Sequence, residues 1–329
     1  MSDWPHILIG TSTDMTAALF PPDLRARLAA CGTVTTGRAA ADAAADVLIT
    51  GWGSPPLTAD VLGGTPRLRL VVHAAGSVKG LVTPTVWERG IAVSSAADAN
   101  AGPVAEYAYA LVVLAAKQAL TSAASYAARG GRAGWPVFQD RRGADGLTVG
   151  VVGASRIGRR VVARLRSASA GYRVLLHDPC VPPDEAKRLG AELVDDVDAL
   201  CGASRVVTLH APELPETRGL LNAERLALIP DGGTVVNTAR GSLVDTESLV
   251  RECASGRLNA FLDVTDPEPL PHGHQLLALP NVLVTPHIAG AQGSEVRRLG
   301  AYAVEEVERW VLGLPLRGAV RRADLDRSA

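Results

Sequence analysis

Gly150-Val151-Val152-Gly153-Ala154-Ser155-Arg156-Ile157-Gly158 continues an apolar run that begins at Thr148 and opens a helical pattern. The order strand, glycine turn, helix is that of a dinucleotide-binding βαβ unit. Gly153 permits the tight turn, Gly158 lets helix and strand pack closely, and the free amides of the helix N-terminus can hold a pyrophosphate. Ser155, Arg156 and Ile157 complete the loop as cofactor-binding candidates. Ser155 stands where the fingerprint has its middle glycine; its Cβ crowds a pyrophosphate, and its hydroxyl can replace a bridging water. Asp178 lies twenty residues after the last glycine, at the end of the next apolar run, Arg173–His177. A carboxylate there accepts hydrogen bonds from adenosine ribose hydroxyls and repels a 2′-phosphate. No arginine immediately follows it, so NAD is favoured over NADP.

Outward from this loop the chain reads as two α/β units with parallel sheets. Before it, strands are expected at His6–Ile9, Val47–Thr50, Leu70–His73 and Ile91–Ser94, with helices at Pro22–Ala30 and Thr83–Arg89 and a further short one in the alanine-rich stretch Ala39–Ala45. The apolar spacing from Gly102 to about Tyr126, with Pro103 near its start, predicts one long helix. Arg129 to Gly146 reads as a loop with Trp135 packed under it. After the glycine loop come a helix from Ile157, a helix near Pro183–Leu189, strands Arg205–His210 and Gly233–Asn237, helix Thr246–Ser255, and strands Ala260–Val264 and Val282–Thr285. Beyond Gly290, Val296, Leu299, Ala303, Val307, Trp310 and Val311 mark one amphipathic helix, followed by a polar tail.

A length of 329 residues suits two cores of roughly 100 to 200 residues each, and a hydrophobic fraction of 47% can fill them. The net charge of −1, with acids and bases interspersed, argues against nucleic acid or a polybasic membrane surface as partner. Cys31, Cys180, Cys201 and Cys253 lie far apart with no metal-ligand spacing, so they read as reduced thiols and no metal site is expected. No apolar run is long enough to span a bilayer, and a soluble, cytoplasmic protein is expected.

Three polar residues each follow a short apolar run in the second unit: Arg240 in Asn237-Thr238-Ala239-Arg240-Gly241, Glu268 in Asp263-Val264-Thr265-Asp266-Pro267-Glu268-Pro269, and His287 in Thr285-Pro286-His287-Ile288-Ala289-Gly290. A fixed guanidinium, a carboxylate and an imidazole, downstream of a dinucleotide loop, suggest hydride transfer on a small carboxylate.

With Asn100-Ala101-Gly102-Pro103-Val104-Ala105-Glu106, Thr208-Leu209-His210-Ala211-Pro212, Glu216-Thr217-Arg218-Gly219 and Gly241-Ser242-Leu243-Val244-Asp245, these blocks fall in an order and spacing that resembles the D-isomer-specific 2-hydroxyacid dehydrogenases. That family includes D-lactate, D-glycerate, glyoxylate/hydroxypyruvate and phosphoglycerate dehydrogenases. The resemblance is specific from Asn100 to Gly290 and traceable earlier through Pro66 to Gly76. It implies a flavodoxin-like substrate domain (residues 1–101 with 291–329) and a Rossmann NAD-binding domain (102–290), around a cleft whose hinges lie at the two crossings. It also implies a homodimer built on the helix after Gly102.

By the same resemblance, Arg240 binds the carboxylate and carbonyl of a 2-keto acid, a task that suits a permanently charged, forked donor. His287 is the acid in reduction and the base in oxidation, and Glu268 pairs with it and favours its protonated form. Asp263 would hold the nicotinamide carboxamide, with Thr238 and Pro212 flanking that half of the cofactor. His210, Thr217, Ala239 and Gly290 complete the cofactor set, while His73 reads as structural. Amides of Ala75, Gly76 and Ser77 would bind the substrate carboxylate. In that loop the family's Asp-Asn pair is replaced by Lys79-Gly80, which leaves the substrate side chain open. A non-enzymatic NAD-sensing corepressor is the competing reading. A formate dehydrogenase is disfavoured because Glu268 stands where glutamine is expected.

Overall fold

The computed structural model describes residues 4–37, 42–128, 130 and 143–325. They form two compact units, Met1–Ala101 with Gly290–Ser328, and Gly102–Ala289. Trp135 and most of the loop around it lie outside the described residues, as do Ala39 to Ala41. Asp42–Ala45, the remainder of the expected alanine-rich helix, is a turn closed by the Ala45 amide on the Asp42 carbonyl at 3.3 Å. Among the described residues no helix is long and apolar enough to cross a membrane.

The first unit contains β1 (His6–Ile9), β2 (Thr33–Thr36), β3 (Val47–Thr50), β4 (Leu70–His73) and β5 (Ala92–Ser95), parallel and ordered β2-β1-β3-β4-β5. This is the flavodoxin-like order. Every residue of β3 and β4 is buried, as strands covered on both faces require. Alternation assigns each side chain to a layer. Ile7, Ile9, Val47, Ile49, Leu70 and Val72 face one cluster, where Leu299, Ala303 and Val307 of helix Val296–Val311 pack. Leu8, Leu48, Val71 and Val93 face the other, against Leu57, Leu62 and Val86.

The second unit holds β6 (Thr148–Val152), β7 (Arg173–His177), β8 (Glu192–Leu193), β9 (Val206–Leu209), β10 (Thr234–Asn237), β11 (Asn259–Leu262) and β12 (Val282–Val284), ordered β8-β7-β6-β9-β10-β11-β12 and all parallel. This is the Rossmann order extended by one strand. Val149, Val151, Val174, Leu176 and Val206 face Val161, Val162 and Leu165 of helix Arg156–Ser167. Val152, Leu175, Val207, Val235 and Leu262 face Leu200, Leu226 and Leu249.

Two expectations are corrected. The long helix begins at Ala97 rather than Gly102, because the Ser95 hydroxyl accepts the Ala97 amide at 3.1 Å and supplies the start signal that Pro103 was expected to give. It also ends early, at Ala116. Gln118 adopts φ +52°, and a second helix runs over Ala119–Ala128. The second correction concerns the tail, where Ala319–Val320 pairs antiparallel with β5 and Arg322–Leu325 forms a short helix. Glu306, fully buried, anchors this return. Its carboxylate accepts the Ser94 hydroxyl at 2.5 Å and the amides of Arg317 and Gly318 at 2.9 and 3.0 Å.

His73, at the end of β4, is 5% exposed and hydrogen-bonds the Thr50 hydroxyl through Nδ1 at 2.9 Å. Burial lowers its pKa from 6.5 to about 4. The unfolded chain therefore takes up this proton first as pH falls, and the associated stability is lost between pH 6.5 and about 4. Urea unfolding followed across that window should show a smaller loss in His73→Asn than in the unaltered chain.

Candidate functional site

The glycine loop leaves β6 through Gly153 at φ +93°, a conformation open to glycine at no steric cost. A Cβ there would lie 2.6 Å from the Ala211 amide nitrogen, and one on Gly158 would lie 2.0 Å from the Gly153 carbonyl oxygen. Both positions are closed to larger residues by backbone. The serine that departs from the fingerprint has a local task, for Ser155 is the N-cap of helix Arg156–Ser167 and its Oγ accepts the Gly158 amide at 3.3 Å. Arg156 is exposed and Ile157 half-buried at the helix start. Asp178, just past β7, ties the loop down: one carboxylate oxygen accepts the Ala154 amide at 2.7 Å and the other the Cys180 amide at 2.8 Å.

The residues fit a dinucleotide. Beside the loop, His210 is 1% exposed, shares a hydrogen bond with the Thr208 hydroxyl through Nε2 at 3.0 Å, and has no protein partner at Nδ1. Burial holds its pKa down at about 3, so the ring is neutral. Thr238 Oγ1 is likewise buried without a protein partner. Buried polar atoms of this kind call for a partner from outside the chain. Pro212 and Thr217 form one turn, in which the Thr217 hydroxyl donates to the Pro212 carbonyl at 2.7 Å and accepts the Leu214 amide at 2.9 Å. Ala239 is buried, and its amide is held by Asn237 Oδ1 at 3.1 Å.

β10, β11 and β12 are adjacent and parallel, with Asn237 opposite Leu262 and Leu262 opposite Val284. Their C-terminal ends therefore place the loops of Arg240, Glu268 and His287 along one sheet edge, the edge at which the glycine loop also leaves β6. Asn237 Nδ2 donates to the Arg240 carbonyl at 2.8 Å, and Arg240 Nη1 donates to the Ala239 carbonyl at 2.6 Å. No carboxylate pairs with this guanidinium among the described residues. The next residue, Gly241, packs so tightly that a Cβ would lie 2.0 Å from the Thr265 carbonyl, which sets the Arg240 loop directly against the segment leading to Glu268.

His287 Nδ1 lies 2.6 Å from Glu268 Oε1. Both side chains are substantially exposed, at 53% and 42%, so Nε2 of the ring is left for solvent or a ligand. His287 has φ +55°, uncommon for a side chain larger than glycine. Asp263 holds it there. This carboxylate, 1% exposed, accepts the Thr285 hydroxyl at 2.6 Å and the Ile288 amide at 2.8 Å on one oxygen and the Ala289 amide at 2.9 Å on the other; the Asp263 carbonyl accepts the His287 amide at 2.9 Å. Thr285 also receives the Tyr107 hydroxyl at 3.1 Å. Sequence reasoning assigned Asp263 to the cofactor and missed Thr285 and Tyr107. The signal that could have found Thr285 is an Asp at one strand end and Thr-Pro-His at the next.

In the first unit, the loop after β4 keeps the amides of Ala75, Gly76 and Ser77 without a partner among the described residues, while the Ser95 hydroxyl holds the Gly76 carbonyl at 2.5 Å. Gly290 belongs to this unit and lies beside Asn100, whose Oδ1 accepts the Ala291 amide at 2.8 Å.

Asp263→Asn turns one acceptor oxygen into a donor facing backbone amides, a mismatch costing about 1–3 kcal/mol. Hydrogen exchange should show faster exchange at Ile288 and Ala289, with β6 and β7 unchanged; equal protection in the variant would remove Asp263 as the support of this turn.

Residues 110–289 match the family model for D-isomer specific 2-hydroxyacid dehydrogenase, NAD binding domain. The chain is 33% identical over 275 residues to D-3-phosphoglycerate dehydrogenase of Methanocaldococcus jannaschii, covering 82% of this chain and 50% of that one. It is 32% identical over 267 residues to hydroxypyruvate reductase of Thermotoga maritima, covering 80% and 83%. The crystal structure of the TT0316 protein from Thermus thermophilus superimposes with a TM-score of 0.76 at 32% identity, covering 96% of this chain and all of that one. The chain spans about half the length of the phosphoglycerate dehydrogenases it matches.

Proposed function

Because the chain belongs to the D-isomer-specific 2-hydroxyacid dehydrogenases, with the NAD-binding domain of that family, we propose that it interconverts a small 2-keto acid and the D-2-hydroxy acid, with glyoxylate and hydroxypyruvate as the first candidate substrates. The observation that carries this reading is the His287–Glu268 pair at 2.6 Å, on the sheet edge that also bears Arg240. The similarity to a hydroxypyruvate reductase over most of its length supports the substrate class.

Bound NADH supplies the hydride. Arg240 binds the substrate carboxylate and the carbonyl oxygen through the donors that Ala239 does not use, which fixes the keto acid and polarises it. Glu268 accepts the Nδ1 proton of His287, so the ring presents Nε2 to the substrate: protonated, it gives its proton to the forming alkoxide; neutral, it accepts one from the hydroxy acid. Asp178 favours NAD, since a carboxylate at that position repels a 2′-phosphate. On the family resemblance, the amides of Ala75, Gly76 and Ser77 are further ligands of the substrate carboxylate. The protein acts in the cytoplasm as a homodimer built on helix Ala97–Ala116, a proposal supported by the 42% exposure of Leu114.

The test is NADH oxidation, followed by absorbance, with glyoxylate, hydroxypyruvate, pyruvate, phenylpyruvate and 2-ketoisocaproate, and NADPH assays in parallel. Arg240→Ala should lower kcat/KM by about 10²–10³-fold, as loss of a charged donor at the reacting oxygen does. His287→Asn should lower kcat by about 10²–10⁴-fold with NADH affinity retained. Tight NADH binding without turnover of any of these acids would overturn the proposal. Asp178→Ala should narrow the preference for NADH over NADPH, and an unchanged ratio would show that Asp178 does not set it.

A further inference from the structure

In the first unit the connection leaving β1 runs to β2 on one side and the connection leaving β3 runs to β4 on the other, so the chain parts in opposite directions at the carboxyl ends of β1 and β3. A crevice opens at such a point beyond the carboxyl ends of the strands, and ligands of open α/β sheets bind there. Here it is a cavity of about 880 Å³, within the usual size of small-molecule sites. Gly10 and Gly37, which follow β1 and β2, are among its lining residues. None of its lining residues takes part in the proposed reaction.

The lining is rich in donors and poor in acceptors of full charge. Among the described residues that line it there is no aspartate or glutamate, and the one cation is Arg25. Arg25 Nε donates to the Phe20 carbonyl at 3.0 Å, which holds the guanidinium and leaves Nη1 and Nη2 for another partner. Ser12 and Ser54 each accept a backbone amide through Oγ, from Met15 at 3.3 Å and from Gly51 at 3.1 Å. A hydroxyl committed as acceptor keeps its own proton to donate. Thr13 and Thr36 add two more hydroxyl-bearing residues to the lining. Leu48, Pro55, Leu57 and Val61 add an apolar part to the lining, and Leu48, Leu57 and Val61 belong to one cluster. A fixed guanidinium, oriented hydroxyl donors and no opposing carboxylate select an anion, and the apolar part accommodates a short carbon body.

We infer that this cavity is a second ligand site, which binds a small organic anion with its phosphate or carboxylate group on Arg25 and its carbon body against Leu57 and Val61.

Isothermal titration tests this on the full chain saturated with NADH, with glycerol 3-phosphate as the probe and glycerol as its neutral twin. The unaltered chain and Arg240→Ala should bind glycerol 3-phosphate with the same affinity. Arg25→Gln should weaken it by about tenfold or more, the loss expected when charge-assisted hydrogen bonds are removed. Val61→Phe, which fills the apolar side and leaves Arg25 intact, should weaken it as well, and both variants should keep unaltered NADH affinity as proof of folding. Binding that disappears in Arg240→Ala and persists in Arg25→Gln would place the anion at the reaction site and overturn the inference. So would equal binding of glycerol, or no binding of glycerol 3-phosphate. Failure of keto acid turnover would overturn the proposed function and leave this binding intact, so the two are separable.

Discussion

Asp263 carries a buried carboxylate, and a buried charge is tolerated only where hydrogen bonds replace the water it has lost. At the end of β11 that requirement is met by the next strand end alone: the Thr285 hydroxyl and the amides of Ile288 and Ala289. The solvation demand of one side chain thereby organises the turn that presents His287. A left-handed conformation in a residue other than glycine costs about 1–3 kcal/mol, and the three bonds to the carboxylate, with that from the His287 amide, offset it. Glu268 then has only to meet a ring whose direction is already set. An exposed ion pair alone would not fix it, because such pairs contribute little and wander.

The sheets were legible in the sequence because their strands are continuous apolar runs, while the sorting of each run into two layers shows only in the fold. Leu8 and Leu48 pack on the face opposite Ile7, Ile9, Val47 and Ile49. Thr33–Thr36 was not legible, since an edge strand of half-exposed threonines carries no apolar signal. Thr13–Leu19, Val197–Ala203 and Ala223–Leu228 are short helices whose best markers are their caps, Ser12, Asp196 and Asn222, which read as ordinary turn residues until a helix is known to follow. Pro103 misled in the opposite way, looking like a first-turn residue while lying inside the helix. The return of Ala319–Val320 to β5 rests on Glu306, and no local pattern predicts which distant hydroxyl and amides a glutamate will find.

The candidate site divides along the same line. Arg240, Glu268 and His287 stood out because each polar residue follows a strand, and adjacent parallel strands must deliver their ends to one edge. What the sequence withheld was the support: Asp263 to Thr285, Tyr107 to Thr285, and the contact of Gly241 with Thr265 span separations that only the strand register can close. Ser155 shows the same limit at the scale of a single turn. A side chain judged as an obstacle to a pyrophosphate is, in the fold, the cap of the helix that would receive it.

The first unit is assembled from both ends of the described chain, and this sets an order in time. One face of its sheet needs Leu299, Ala303, Val304 and Val307, which a ribosome adds only after the whole of Gly102–Ala289 has been made. The usual expectation of vectorial synthesis, that the N-terminal domain is complete first, is thereby inverted. The strands of the first unit leave the exit tunnel with one face covered only by Leu19, Phe20, Leu24 and Leu28, and stay so while an entire contiguous domain is made behind them. This is the interval in which the nascent protein most needs a holding chaperone.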